Sequence, residues 1–151
     1  MLGSLLALAA LLVPAAGAER NAFRCRPTPQ DGFGPFGRGM PPLRAKIGSG
    51  HVLTGVVISA ADCRPIRGAH VQLWQASRNG RYTTASSGTV LTNRAGRFRF
   101  EGPYPPSYSG RPPHLHIRVN AGLYEALLTR YEPRPGARRG HVRLVLVPAD
   151  V

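Results

Sequence analysis

The sequence predicts an all-β fold, a single β-sandwich domain preceded by an irregular N-terminal arm rich in Pro and Gly. Three observations predict it. Short runs of alternating apolar and polar residues recur along the chain, turns containing Gly or Asn separate them, and no amphipathic helix of useful length is evident. The chain has 151 residues, the size of one ordinary domain. Six or seven short strands with such turns are typical of a sandwich.

The predicted strands also define a core. The β-like runs are residues 51–58, 69–75, 97–100, 114–120, 123–131 and 141–147. Because alternate residues of a strand point to the same side, their apolar positions predict the buried faces. These positions are Val71, Leu73, Phe98, Phe100, Ile117, Val119, Leu144 and Leu146. Trp74 falls on the face opposite Val71 and Leu73, where we expect plain packing, and covering a sheet end or a pocket floor is the alternative.

The N-terminal residues predict export. Residues 1–18 are uncharged and apolar and end in Ala16-Gly17-Ala18, which is typical of a signal peptide cleaved after Ala18. The stretch falls short of the ~20 residues that span a bilayer, and a buried helix is the alternative. We therefore expect a secreted or periplasmic protein, with the arm over residues 19–50 and the β domain over residues 51–151.

The two cysteines, Cys25 and Cys63, predict one disulfide. An even pair in an oxidising compartment is usually bonded, and this bond would tie the arm to the turn after the first strand. A metal-binding pair is the alternative, but the C-x-x-C spacing of such sites is missing.

The charge is strongly positive. There are 20 Lys and Arg against 7 Asp and Glu, a net charge of +13, and all but one of the basic residues are Arg. Such a surface attracts polyanions and aromatic carboxylates, although a solvated surface spread with arginines explains the composition equally well. No stripe of aromatics lies among the arginines, as single-stranded nucleic acid requires, so no specific nucleic-acid binding is expected.

One short segment indicates a metal site. In Arg111-Pro112-Pro113-His114-Leu115-His116 the two histidines are two residues apart, so in a strand both imidazoles face one point. Two exposed or hydrogen-bonded histidines are the alternative. Further ligand candidates are Tyr82, Tyr104 and Tyr108, in loops that follow predicted strands. Two phenolates with two imidazoles favour ferric iron, whereas zinc prefers Cys, His or carboxylate.

Several segments, in this order, resemble the intradiol ring-cleavage dioxygenases, in particular their short exported members. The segments are Gly34-Pro35-Phe36, Gly55-Val56-Val57, Cys63-Arg64-Pro65, residues 68–76, Gly80-Arg81-Tyr82, residues 96–100 and residues 111–116. The resemblance implies a β-sandwich and the cleavage of catechol-type rings with O2 to muconate-type products.

The resemblance also assigns roles. It implies a non-haem Fe(III) held by Tyr82, Tyr108, His114 and His116, with Tyr108 displaced by the substrate. Arg111 would stabilise the ionised ring, and Tyr104 is the alternative to Tyr108, with loop packing as its other role.

One position departs from the family, because Arg130 stands where Gln is common. Two other hypotheses stay open: a non-catalytic exported sandwich that binds a partner, and a cationic protein that binds polyanions. The substrate's substituents and the oligomeric state, including a homo-oligomer, are left open.

Overall fold

The computed structural model describes residues 23–150, so the predicted signal peptide, residues 1–18, lies outside the described residues. Within them the all-β prediction is confirmed, with seven strands in two sheets. The strands are β1 His51–Ser59, β2 His70–Gln75, β3 Ser87–Leu91, β4 Arg97–Gly102, β5 Leu115–Asn120, β6 Leu127–Tyr131 and β7 Arg139–Leu146. Helical structure between residues 23 and 150 is limited to two 3₁₀ turns, Phe36–Arg38 and Thr84–Ser86, and no helix there could cross a membrane.

The two sheets have different strand orders. The first has three strands in the order β4-β1-β7, in which β1 pairs antiparallel with β4 and parallel with β7. The second has four antiparallel strands in the order β3-β2-β5-β6. In its ladder Trp74 lies opposite His116, and His116 lies opposite Arg130.

The core lies between the two sheets, as the alternation predicts. All eight apolar positions proposed from the sequence are buried in one cluster, together with Leu53, Val57 and Leu115. Since Leu115, Ile117 and Val119 point into this core, the residues between them, His116 and Arg118, point to the outer face of the four-stranded sheet.

The arm, described here from residue 23 to residue 50, covers that outer face. It begins beside the three-stranded sheet, where the Cys25 N–H donates to the Ala60 carbonyl and a disulfide joins Cys25 to Cys63. It then crosses β6, where the Asp31 N–H donates to the Leu128 carbonyl at 2.7 Å.

Farther along, the arm packs an aromatic side chain on the sheet. The Phe36 ring packs edge-on against Trp74 with centroids 5.7 Å apart, so Trp74 is buried under the arm. Arg118 stabilises this contact, because its guanidinium donates to the Phe36 carbonyl at 2.8 Å and to the Gln72 side chain at 2.7 Å.

The structure differs from the sequence prediction at two strands. β3, Ser87–Leu91, was not predicted, and it forms because the arm pairs beside it: Thr89 donates from its N–H to the Pro42 carbonyl and from its hydroxyl to the Pro41 carbonyl. β6 begins at Leu127 rather than residue 123, because Glu125 bonds instead to the Val147 carbonyl.

Candidate metal centre

Four side chains from three separate stretches of chain converge on the outer face of the four-stranded sheet. The Nε2 atoms of His114 and His116 lie 3.1 Å apart. The His114 Nε2 also lies 3.3 Å from the Tyr108 hydroxyl and 3.5 Å from the Tyr82 hydroxyl. The two phenol oxygens are in direct contact with each other. Two oxygens and two nitrogens therefore meet at one point.

The loop between β2 and β3 positions Tyr82. It turns back on itself at Ser77, whose N–H donates to the Arg81 carbonyl at 2.8 Å. Gly80 in this turn has a φ of 75°, and a Cβ there would lie 3.3 Å from the Tyr108 ring. Glycine thus meets two needs, a left-handed backbone and room for the neighbouring tyrosine. Arg38 of the arm donates to the Tyr82 carbonyl at 3.0 Å, which ties this loop to the arm.

A tight turn between β4 and β5 positions Tyr108. The Arg111 N–H donates to the Tyr108 carbonyl at 2.9 Å, and Ser109 and Gly110 between them have φ values of 49° and 71°. Two consecutive left-handed residues make a mirror-image turn that reverses the chain within two residues. The turn places the Arg111 guanidinium beside the phenols, where its charge acts to lower the pKa of Tyr82.

The two histidines are held differently. The Nδ1 of His114 lies 2.8 Å from the Pro112 carbonyl, which can only accept, so Nδ1 carries the proton and Nε2 presents a lone pair to the cluster. His116 is almost fully buried, and its Nδ1 has no hydrogen-bond partner among the described residues.

Burial sets the charge state of the cluster. It lowers the pKa of His116 to about 4, with the nearby His114 as the second cause, so His116 is neutral at physiological pH. Burial, followed by the hydrogen bond and charge of Tyr108, raises the pKa of Tyr82 well above its usual value. Without a cation the cluster therefore contains a neutral His116 imidazole and a protonated Tyr82 phenol.

The arm closes the site on the side of His116. A Cβ on Gly34 would lie 2.6 Å from the His116 Nδ1, and the Phe36 ring stands edge-on to the imidazole with centroids 5.7 Å apart. Gly34-Pro35-Phe36 belongs to the segments that carry the family resemblance, but the resemblance predicts no contact between this segment and the site. The sequence feature that could have indicated this contact is the glycine and nearby aromatic residue of this segment.

An ion pair also borders the site. The Arg130 guanidinium lies 3.3 Å from the Asp31 carboxylate and 3.2 Å from that of Glu132. Arg130 is cross-strand to His116, and the charges of Asp31 and Arg130 act on the pKa of His116 in opposite directions. The sequence alone gives no indication of a role for Asp31. Its ion pair depends on the arm crossing β6, which local sequence does not show.

Tyr104, the alternative ligand, lies elsewhere. Its hydroxyl donates to the Arg134 carbonyl at 3.2 Å, and its ring packs edge-on against His51. The structure thus brings Tyr82, Tyr108, His114 and His116 together and leaves Tyr104 to pack a different loop.

The donor set fits one hard, highly charged cation. The His114 Nε2 lies 3.1 to 3.5 Å from the other three donor atoms, which matches ligands bonded to a common ion at about 2 Å. Between residues 23 and 150, no three His, Cys, Asp or Glu side chains group as metal ligands, so any metal here depends on tyrosine oxygens. Phenolate oxygen with neutral imidazole is a ligand combination suited to ferric iron.

Comparison with known proteins places the fold. No protein-family model and no curated protein sequence matches the chain. Among solved structures, it is similar to the dioxygenase domain of a dioxygenase carbohydrate-binding protein fusion from Streptomyces sp. SirexAA-E. The identity is 24%, the TM-score is 0.71, and the match covers 82% of this chain and 100% of the other.

Two further solved structures give the same result. An intradiol ring-cleavage dioxygenase from Tetranychus urticae matches with 20% identity and a TM-score of 0.68, over 82% of this chain and 96% of the other. Hydroxyquinol 1,2-dioxygenase from Pseudomonas putida DLL-E4 matches with 20% identity and a TM-score of 0.67, over 83% of this chain and 68% of the other. The chain therefore has the fold of the intradiol ring-cleavage dioxygenases.

Proposed function

We propose that this protein is a non-haem, ferric-iron-dependent intradiol dioxygenase that cleaves catechol-type rings with O2 to muconate-type products. The observation that carries the proposal is the meeting of the Tyr82 and Tyr108 oxygens with the Nε2 atoms of His114 and His116. The fold shared with solved intradiol dioxygenases supports it.

Tyr82, Tyr108, His114 and His116 would hold the iron. The Pro112 carbonyl accepts from the His114 Nδ1, so the His114 Nε2 faces the cluster, and burial keeps His116 neutral. The raised pKa of Tyr82 means that this phenol ionises only when a strong cation is close. Ferric iron, when bound, supplies a Lewis-acid centre that draws charge from the ionised catechol and makes its ring reactive toward O2.

The residues around the iron would handle protons and charge. By the family resemblance, Tyr108 is the ligand that would give way to substrate, its hydroxyl oxygen then holding a proton released by the catechol. Arg111, at the other end of the turn that begins at Tyr108, would stabilise the negative charge of the ionised ring. Phe36 and the buried Trp74 shield the imidazoles from water on the arm side.

The test is to load the purified chain with Fe(III) and add catechol, protocatechuate and hydroxyquinol under oxygen. We expect a wine-red protein, from phenolate-to-iron charge transfer, that consumes O2 and forms a muconate absorbance with at least one diol. A protein that stays colourless in excess Fe(III) and consumes no O2 would contradict the proposal.

We also propose that the chain is exported, with cleavage after Ala18. The bonded Cys25–Cys63 pair supports this, because disulfides persist mainly in oxidising compartments. Expression with the native N-terminus, followed by mass determination of the protein in each compartment, tests it. Full-length protein retained in the cytoplasm would contradict it.

A further inference from the structure

The outer face of the three-stranded sheet carries two rows of basic side chains. β4 contributes Arg97 and Arg99 and β7 contributes Arg139, His141 and Arg143, all exposed. We call these five residues, with the central strand between them, the basic face. The face forms because apolar and basic residues alternate along β4 and β7, so that the apolar side chains enter the core and the basic ones point to solvent.

The pairing registers align the two rows across β1. Val56 pairs with Arg97 on one side and Arg143 on the other, and Thr54 pairs with Arg99 and His141. The rows are thus two strand spacings apart, about 9.5 Å, and repeat about every 6.7 Å along the strands. Short side chains fill the space between them, so the face is a trough with basic walls.

Little in the structure neutralises these charges. Two carboxylates lie near the face: Glu101, which pairs with Arg99 at 3.0 Å and with Lys46 at 3.3 Å, and Glu132, which lines the same hollow as Arg139 but pairs with Arg130 at 3.2 Å. Arg97, Arg139 and Arg143 make no ion pair within residues 23–150. The face therefore keeps an uncompensated positive charge, most of it on these three arginines.

The basic face contains two hollows. These shallow hollows, of about 590 and 620 Å³, meet at Thr54 and His141, whose side chains are hydrogen-bonded 3.0 Å apart. One hollow extends along β1 to Arg97 and the other to Arg139. Together the two hollows connect Arg97 of one row with Arg139 of the other.

The basic face lies on the far side of the sandwich from the candidate metal centre. His116 points out from the four-stranded sheet, whereas Arg97 and Arg139 point out from the three-stranded sheet, with the whole core between them. An occupant of the basic face would leave the metal centre open.

From this geometry we infer that the basic face binds a single linear chain of acidic polysaccharide, laid along β1 between the two rows of arginines. Guanidinium groups pair with carboxylate or sulfate through two parallel hydrogen bonds, and a polysaccharide chain with regular acidic groups meets both rows. The outward-facing residues of β1, β4 and β7 include no Phe, Tyr or Trp for stacking single-stranded bases, and Tyr131, which lines the hollow at the Arg139 end, is hydrogen-bonded to His51. A narrow trough suits one extended chain better than a wide, convex nucleic-acid duplex.

The test measures binding of the full chain to three probes: polygalacturonate, which carries carboxylates, heparin, which carries sulfates, and a short duplex DNA. The test variant is Arg97→Gln/Arg139→Gln, which removes one charge from each row, and neither side chain bonds to another described residue. The matched control is Arg67→Gln/Arg78→Gln, which removes the same charge from exposed positions outside the face.

We expect the unmodified chain to bind at least one of the two polysaccharides at about 0.15 M salt. The Arg97/Arg139 variant should bind about tenfold more weakly, with a salt slope lower by about two, and the control should stay within about twofold. A lysine pair at the same two positions should retain most of the affinity. Thermal unfolding and ring cleavage of a small catechol should be unchanged in the Arg97/Arg139 and control variants.

Three results would overturn the inference. Equal losses in the test and control variants would mean diffuse charge rather than a site. Tighter binding to duplex DNA than to both polysaccharides would make nucleic acid the occupant. No binding to either polysaccharide at this salt concentration would leave the face without the proposed partner. None of these results bears on iron loading, so this inference and the proposed enzyme activity fail separately.

Discussion

Gly34 of the arm lies so close to His116 that a Cβ added to it would stand 2.6 Å from the imidazole Nδ1. The contact joins a segment far away in sequence to a candidate iron ligand. The position of His116 therefore depends on the arm being docked, and the arm can dock only because this residue has no side chain.

This contact predicts that Gly34→Ala weakens iron binding. Either the imidazole or the arm must move, and displaced neighbours of a metal ligand typically reduce metal affinity by about 10- to 100-fold. Fe(III) titration followed by visible absorbance measures the effect. The control is Gly32→Ala, because a Cβ on Gly32 meets nothing within 4 Å. Equal affinities in the two variants would show that the arm does not constrain the site.

Removing the hydroxyl group should abolish activity at one tyrosine of the β4–β5 loop and leave the iron site intact at the other. Tyr108→Phe removes one of the four donor atoms, so the visible band of the ferric protein should shift or disappear and ring cleavage should be lost. Tyr104→Phe removes only the hydrogen bond to the Arg134 carbonyl, which costs about 1 kcal/mol of stability and leaves the colour in place. Visible spectra and O2 uptake of both variants test this pair, and the reverse pattern would exchange the two assignments.

Loss of the disulfide should destabilise the whole domain. The Cys25–Cys63 bond closes a loop over 38 residues of sequence separation, and in the chain-entropy model removing such a link costs about 3–4 kcal/mol. We expect Cys25→Ser/Cys63→Ser to lower the urea midpoint accordingly. An unchanged midpoint would mean that the arm is held by its other contacts alone.

Arg118 should prove important for docking of the arm. Arg118→Ala removes the donors to the Phe36 carbonyl and to the buried Gln72, and leaving such groups unpaired costs about 1–3 kcal/mol. The arm should become more sensitive to limited proteolysis, and the free energy of unfolding should fall. The control, Arg94→Ala, alters an exposed arginine in the β3–β4 turn and should change neither measurement.

The fold class and the core could be read from the sequence because they depend on local alternation. Val71, Leu73, Ile117 and Val119 are buried where their spacing predicts. β3 was missed because Ser87 and Gly88 resemble loop residues. A Cβ on Gly88 would meet the Arg44 carbonyl at 2.6 Å, so this strand is shaped by the arm, which lies more than forty residues earlier.

The candidate ligands could be predicted from the sequence, but their arrangement in space could not. The spacing of His114 and His116 predicts that they share a face, and the structure places them so. The sequence spacing left Tyr104 as an alternative to Tyr108, because the choice depends on the left-handed turn at Ser109 and Gly110, which local composition does not specify. The neighbours Asp31 and Gly34 are brought in by tertiary contacts of the arm alone.

The parallel pairing of β1 with β7 has a consequence for how this molecule is made. In this pairing Val52 of β1 lies opposite Arg139 of β7. The strand β1 therefore gains its second neighbour only after the five strands between β1 and β7 have been synthesised. Such long-range pairing slows folding and leaves the nascent chain without its finished core for most of its synthesis. An incomplete chain would consequently expose the edge of β1, and protection of this strand from hydrogen exchange should arise late.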